Sequence, residues 1–175
     1  MRLNNRTLTN PFIYQGYESP KYFCDREVET KTLLSHLKNG RNVTLISPRR
    51  IGKTGLIKNT FYHLKEQEKD ATCLYLDIFV TKNLHDFVEL LGVMVINEIV
   101  RKNASFIEKT ISFFSALRPV LSMDPLTGEP SVSITVEPSK EDITIQSIFN
   151  YLNDSEQEVY IAIDEFQQIA EYPEK

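Results

Sequence analysis

The residues at positions 47–54 form a pattern that is typical of loops that surround phosphate groups. The pattern is G-x-x-x-x-G-K-[ST] with serine in place of the first glycine, and it reads Ser47, Pro48, Arg49, Arg50, Ile51, Gly52, Lys53 and Thr54. In such loops the backbone N–H groups surround the phosphates, the lysine reaches the outer phosphates and the hydroxyl can ligate Mg²⁺. We therefore predict nucleotide contacts from these residues and from Gly55, with Lys53 also catalytic and Thr54 also a metal ligand.

The segments on either side of this loop have the character that a phosphate loop requires. Residues 42–46, Asn-Val-Thr-Leu-Ile, are mostly apolar and β-branched, and they predict a buried parallel strand. After the loop, apolar residues recur every three or four positions as far as about Gln67, which predicts one buried face of a helix. The order of strand, loop and helix favours a phosphate-binding loop over a tight turn that carries an exposed lysine.

A second signal lies near the end of the chain. Val159–Ile163 is an apolar run followed directly by Asp164 and Glu165, which resembles a Walker B strand. A carboxylate at the carboxyl end of a buried strand lies where open α/β sheets bind ligands. Asp164 is a candidate Mg²⁺ ligand beside Thr54, and Glu165 is a candidate catalytic base that polarises the attacking water. A strand that runs into an acidic turn is the alternative for these two residues alone.

The acidic pair also bears on which nucleotide the chain binds. Adjacent Asp and Glu after the strand resemble phosphate-loop ATPases that carry their own catalytic glutamate. The guanine-reading Asn/Thr-Lys-x-Asp pattern has no match, because Thr81-Lys82-Asn83-Leu84 lacks the aspartate. The sequence therefore favours ATP over GTP.

Composition limits the other classes of function. The 175 residues allow one domain, and the net charge of −4 gives no global attraction to nucleic acid or to an anionic membrane. Cys24 and Cys73 lack the spacing of a metal site, and no apolar run is long enough to span a bilayer. We expect a cytoplasmic protein.

The rest of the chain predicts alternating helices and strands. Residues 1–24 predict an extended arm, and Asp25 predicts the N-cap of a helix over about 26–38 that ends before Gly40. A parallel crossover then leads through the helix after the loop into a strand over 73–79. Further along we predict helices over about 84–99, 105–117 and 145–152, and a β-hairpin within 119–138 whose turn is 124–128. The predicted fold is α/β, a phosphate-loop NTPase domain from residue 25 with a helix and hairpin inserted at about 104–138.

With both motifs placed, the chain resembles the AAA-like prokaryotic ATPases often called the archaeal ATPase family, a branch of the STAND NTPases. Besides the loop and the Ile163-Asp164-Glu165-Phe166-Gln167 segment, the resemblance includes Phe23-Cys24-Asp25-Arg26-Glu27, which is similar to the family's Phe-x-Gly-Arg-Glu element. The resemblance implies a three-layer α/β/α fold, and it implies that this element lies near the adenine end of the site, where Tyr22, Phe23 or Arg26 contacts the base. Arg49 and Arg50 match the family's paired arginines, which meet phosphate, a neighbouring subunit or solvent.

Family members continue past Walker B, whereas eleven residues follow Asp164 here. The family's sensor strand lies between the Walker A and Walker B strands, so we expect an incomplete sheet. Three explanations are open: an N-terminal fragment, which we favour, direct pairing of the two Walker strands, or a strand supplied by a partner.

The leading functional hypothesis is binding and slow hydrolysis of Mg-ATP coupled to a conformational change. The alternative is a nucleotide-gated interaction module, in which binding orders an interface with a protein partner or a second copy of the chain. A nucleic-acid motor rests on fold analogy alone, and a nucleotide kinase lacks a second-substrate pocket.

Overall fold

The structure is a computed structural model that describes residues 16–102, 117–123, 130–137, 139–155 and 157–174. The chain forms two compact units, residues 1–71 and residues 72–175. Among the described residues, the first unit contains two α-helices and a short 3-10 helix, and the second contains strands and helices. The chain is therefore α/β, with a small parallel sheet, as predicted.

The first unit is built on α1 (Glu27–Lys38) and α2 (Lys53–Gln67). Both helices were predicted, and they pack through buried side chains that include Leu33, Leu56 and Leu64. A polar contact joins them as well, because the Asn59 amide donates a hydrogen bond to the Thr30 hydroxyl over 3.2 Å. A short 3-10 helix (Pro20–Tyr22) precedes α1, and residues 1–15 of the predicted arm lie outside the described residues.

The two ends of α1 differ in how well the sequence predicted them. The C-terminal stop is confirmed: Gly40 has φ +66°, and the N–H groups of Gly40 and Arg41 donate to the carbonyls of Leu37 and His36 over 2.9 and 3.0 Å. This pair of backbone hydrogen bonds defines the Schellman motif, in which glycine is the preferred residue at the left-handed position. The predicted N-cap is wrong, because Arg26 is the N-cap and Asp25 lies before it with φ +61°.

The predicted strand at 42–46 is also wrong. These residues belong to neither sheet, and Val43 and Ile46 are 39% and 91% exposed. A strand needs a neighbouring strand that pairs with its backbone N–H and C=O groups. Residues 42–46 have no such neighbour among the described strands. The crossover expected from this strand, and its direct pairing with the Walker B strand, are therefore not observed.

The second unit has a parallel pair formed by β1 (Thr72–Asp77) and β4 (Val159–Asp164). The register sets Thr72 opposite Val159 and Asp77 opposite Asp164. Leu74 and Leu76 on one face are almost fully buried in the core, and each buried leucine stabilises the unit by about 1.5–3 kcal/mol. Because side chains alternate along a strand, Tyr75 and Asp77 share the opposite face.

Two helices cover the core face of this unit, α3 (Leu84–Lys102) and α4 (Glu141–Asn153). Both were predicted, although Phe149 of α4 is 45% exposed while Ile148 and Leu152 are buried. After β4, a 3-10 helix (Phe166–Glu171) leads to the buried Tyr172.

An antiparallel pair, β2 (Leu117–Met123) and β3 (Pro130–Val136), lies between α3 and α4 in the chain. The predicted turn at 124–128 lies outside the described residues, as do residues 105–116 of the predicted helix. Leu117, the last residue of that predicted helix, instead begins β2. That this pair is an insertion into a phosphate-loop domain stays a prediction. Within the described part of the chain, no helix is long and apolar enough to cross a membrane.

Candidate functional site

The phosphate-loop pattern lies at the N-terminus of α2. Ser47–Gly52 precede the helix without regular structure, Gly52 is the N-cap, and Lys53, Thr54 and Gly55 form the first turn. Gly52 has φ +84°, a left-handed conformation that glycine adopts without steric cost. An ideal Cβ at Gly52 would meet nothing within 4 Å, so this position needs glycine for its backbone conformation.

The loop is charged in a way that suits an anion. Arg49, Arg50 and Lys53 are cationic, and the first turn of α2 contains no acidic residue. A lysine at the positive end of a helix dipole is unfavourable unless an anion is near. The Lys53 ammonium donates a hydrogen bond to the Ser47 carbonyl over 3.1 Å, which holds the side chain across the loop. The loop residues therefore fit the phosphates that their pattern predicts.

Ser47 does not prevent the loop from forming. It is not among the residues with positive φ, so its place in the loop does not require the conformational freedom of glycine. Arg50, by contrast, adopts φ +63°. Such backbone conformations carry a steric cost for residues other than glycine and concentrate at functional sites.

The segment before α1 contacts the loop directly. The Arg26 guanidinium donates one hydrogen bond to the Ile51 carbonyl over 3.0 Å and another to the Glu29 carboxylate over 2.9 Å. The Phe23 ring lies against Gly55, where an added Cβ would come within 3.1 Å of the ring. Sequence reasoning placed Phe23 and Arg26 near the base and missed these loop contacts, which depend on how α1 packs against α2.

The acidic pair lies at the carboxyl end of β4 in the second unit. Asp164 is the last residue of β4, and its Oδ2 accepts a hydrogen bond from the Tyr75 hydroxyl over 2.6 Å. Its Oδ1 accepts one from the Glu165 N–H over 3.0 Å. Glu165 has φ +57°, and its carboxylate accepts a hydrogen bond from the Gln167 amide. An ionised carboxylate held in this way is a suitable ligand for a hard cation such as Mg²⁺.

Tyr75 and Asp77 are residues of this site that sequence reasoning missed. Asp77 is opposite Asp164 in the register, so two carboxylates end adjacent strands, and Asp77 accepts a hydrogen bond from the Phe79 N–H over 3.1 Å. The only sequence signal for Asp77 was its position near the end of the strand predicted over residues 73–79. Only the pairing of β1 with β4 shows that it neighbours Asp164.

One groove in the first unit lies beside α1 and α2. It has a volume of about 400 Å³, and residues 47–55 do not line it. Its walls come from α1, α2 and the segment before them, including Phe23, Arg26, Asn59 and His63. The groove therefore contains no residue of the loop itself, but two of its lining residues, Phe23 and Arg26, contact the loop.

The α/β architecture, with a parallel strand pair and a Gly-Lys-Thr loop at a helix N-terminus, is consistent with a phosphate-loop-like ATPase domain. A family model described as an ATPase domain predominantly from Archaea matches residues 23–175, and the chain belongs to that family. Searches of curated proteins and of solved structures found no match. The family match confirms the resemblance to archaeal-type ATPases, while membership of the STAND branch stays a prediction.

Proposed function

We propose that the chain binds Mg-ATP through residues 47–55 and hydrolyses it slowly with the help of Asp164 and Glu165. The observation that carries the proposal is the conformation and charge of the loop at the start of α2. Gly52 is left-handed, Lys53 crosses the loop, and the first helical turn lacks acidic residues. Membership of an ATPase family supports ATP as the nucleotide.

Each residue has a role in this proposal. The loop N–H groups donate hydrogen bonds to phosphate oxygens, and the Lys53 ammonium offsets the charge of the outer phosphates. The Thr54 hydroxyl and the Asp164 carboxylate would hold Mg²⁺, which when bound neutralises phosphate charge. Tyr75 and the Glu165 N–H fix the orientation of the Asp164 carboxylate. The Glu165 carboxylate orients the water that attacks the γ-phosphorus and accepts its proton as the bond to ADP breaks.

Several broader features belong to the same proposal. They are an arm over residues 1–24, a phosphate-loop domain from residue 25, an insertion at about 104–138, and assembly with a protein partner or a second copy of the chain. The coupling of turnover to a conformational change is also part of it.

Substitution of Glu165 tests the hydrolytic step. Glu165→Gln keeps the size of the side chain but removes the carboxylate that accepts the proton. We expect it to bind Mg-ATP as the unaltered chain does and to release phosphate at least about 100-fold more slowly in a single turnover. Glu171→Gln, which makes the same change in the exposed 3-10 helix, serves as the control.

A second candidate function is a nucleotide-gated interaction module in which turnover is incidental. The contact between the Gln167 amide and the Glu165 carboxylate favours it, because that contact competes with a water for one of the two carboxylate oxygens, Oε2. Equal phosphate release by the unaltered chain and by Glu165→Gln, with Mg-ATP bound to both, would support this module and contradict the hydrolytic proposal.

A further inference from the structure

We infer that Arg26 is a positioning residue for the phosphate loop, acting through the Ile51 carbonyl, rather than a residue that reads the base. The inference rests on the proposed function, because it assumes that residues 47–55 bind phosphate. It deepens that function by assigning a task to a side chain outside the loop pattern.

The first step concerns one peptide unit. The Ile51 carbonyl and the Gly52 N–H belong to the same peptide group, which is planar and trans, so the two groups point in opposite directions. The Arg26 guanidinium holds the Ile51 oxygen over 3.0 Å. This bond therefore points the Gly52 N–H away from Arg26, within the plane of the same peptide group. It also polarises the peptide group, which makes the N–H a stronger donor to an anion.

The second step concerns how Arg26 is itself held. Its other terminal nitrogen pairs with the Glu29 carboxylate over 2.9 Å, one turn further along α1. The planar guanidinium can make both bonds at once, whereas a lysine ammonium cannot reproduce this fork. Glu29 therefore fixes the direction in which Arg26 reaches the loop.

A third contact supports the same assignment from the other side of the loop. The Phe23 ring packs against Gly55 and meets the Tyr17 ring edge-on at 5.8 Å. The Tyr17 hydroxyl donates to the Asn59 side chain over 3.0 Å, and burial raises the pKa of Tyr17 to about 12, so this hydroxyl keeps its proton at neutral pH. The segment before α1 thus contacts both the residue before Gly52 and the first turn of α2.

The test compares Mg-ATP with inorganic tripolyphosphate, which has no base or ribose. Loss of a charged hydrogen bond to the loop should weaken the binding of both ligands to Arg26→Ala by the same factor, roughly three- to tenfold. Arg26→Lys should recover part of the loss, and Glu29→Gln should show a smaller loss for both ligands. Lys31→Ala, which removes one exposed positive charge from the same helix, should bind both ligands as the unaltered chain does.

The outcomes separate the inference from the proposed function. Loss of ATP binding with unchanged tripolyphosphate binding would show that Arg26 contacts the base or ribose and would overturn the inference. Unchanged binding of both ligands by Arg26→Ala would overturn it as well. If Arg26→Ala does not fold, equal binding by Glu29→Gln and the unaltered chain overturns it. An unaltered chain that binds neither ligand contradicts the proposed function and, with it, the inference.

Discussion

Asp25 adopts φ +61°, and it occupies the position of the glycine in the family's Phe-x-Gly-Arg-Glu element. The structure gives a physical reason for that glycine, because the chain must turn through a left-handed conformation before α1 begins. Aspartate tolerates this conformation better than most residues, since its short polar side chain can form local hydrogen bonds. The departure from the family pattern therefore leaves the turn intact.

A substitution pair tests this account of Asp25. We expect Asp25→Gly to change the free energy of unfolding by less than about 0.5 kcal/mol and Asp25→Val to lower it by about 1–2 kcal/mol, because a β-branched side chain fits this conformation poorly. Urea denaturation measures both. Equal stability of the Val and Gly variants would contradict the left-handed turn.

Tyr75 gives a second prediction, which concerns Asp164. Substitution of a residue that hydrogen-bonds to a metal ligand typically weakens metal binding. Because the Tyr75 hydroxyl donates to Asp164, Tyr75→Phe should raise the Mg²⁺ concentration needed for half-maximal ATP binding by about tenfold. Titration with Mg²⁺ at fixed ATP measures the shift, and Tyr62→Phe on α2 makes the same chemical change as a control. No shift in the Mg²⁺ requirement would show that the Tyr75 hydroxyl does not support the metal site.

The sequence predicted the residues of the phosphate loop and of the acidic pair, but it did not predict the hydrogen bonds that Arg26 and Tyr75 make to them. The loop and the acidic pair follow from short patterns whose chemistry requires particular residues at particular positions. The contacts of Arg26 and Tyr75 depend on helix packing and on the register of β1 with β4, which a local pattern does not contain.

Among the elements, helices were predicted better than strands. The apolar period of α1, α2 and α4 is a property of each segment, and all three formed where the period predicted them. Residues 42–46 have suitable β-branched residues but pair with no strand in the described part of the chain. Strand formation depends on a partner as well as on composition.

A histidine at the start of α3 should make stability depend on pH. His85 lies 3.1 Å from a Glu141 oxygen at the start of α4 and 3.3 Å from a Glu89 oxygen. The hydrogen bond to Glu141 is the main cause that raises the pKa of His85. The pKa of Glu141 is lowered, first by its own backbone N–H and then by His85.

The sign of the effect follows from these two directions. The stabilisation from His85 is full below its unfolded pKa of about 6.5 and is lost as the pH rises through the raised pKa. The contribution of Glu141 is present above its unfolded pKa of about 4.3 and is lost as the pH falls. The unaltered chain should therefore exceed His85→Gln in stability most clearly between about pH 4.5 and 6.5, and the difference should shrink by about pH 9.

Denaturant unfolding at pH 5.5 and pH 9 measures this difference, with His63→Gln of α2 as the control. A difference that is constant or larger at pH 9 would contradict the ion pair between α3 and α4.

For the whole molecule, the family match spans both compact units. The phosphate loop belongs to the first unit and the acidic pair belongs to the second. Hydrolysis as proposed uses residues of both units, Lys53 and Thr54 of the first and Asp164 and Glu165 of the second. The sequence predicted the ATPase family correctly because both motifs occur in one chain.

Binding of Mg-ATP by the full chain, measured by calorimetry, tests the central claim most directly. The account predicts saturable, Mg²⁺-dependent binding that falls at least about tenfold in Lys53→Ala, because the loop loses the charge nearest the outer phosphates. Lys65→Ala, at the opposite end of the same helix, should bind as the unaltered chain does. Absence of Mg-ATP binding by the unaltered chain, or equal binding by Lys53→Ala, would contradict it.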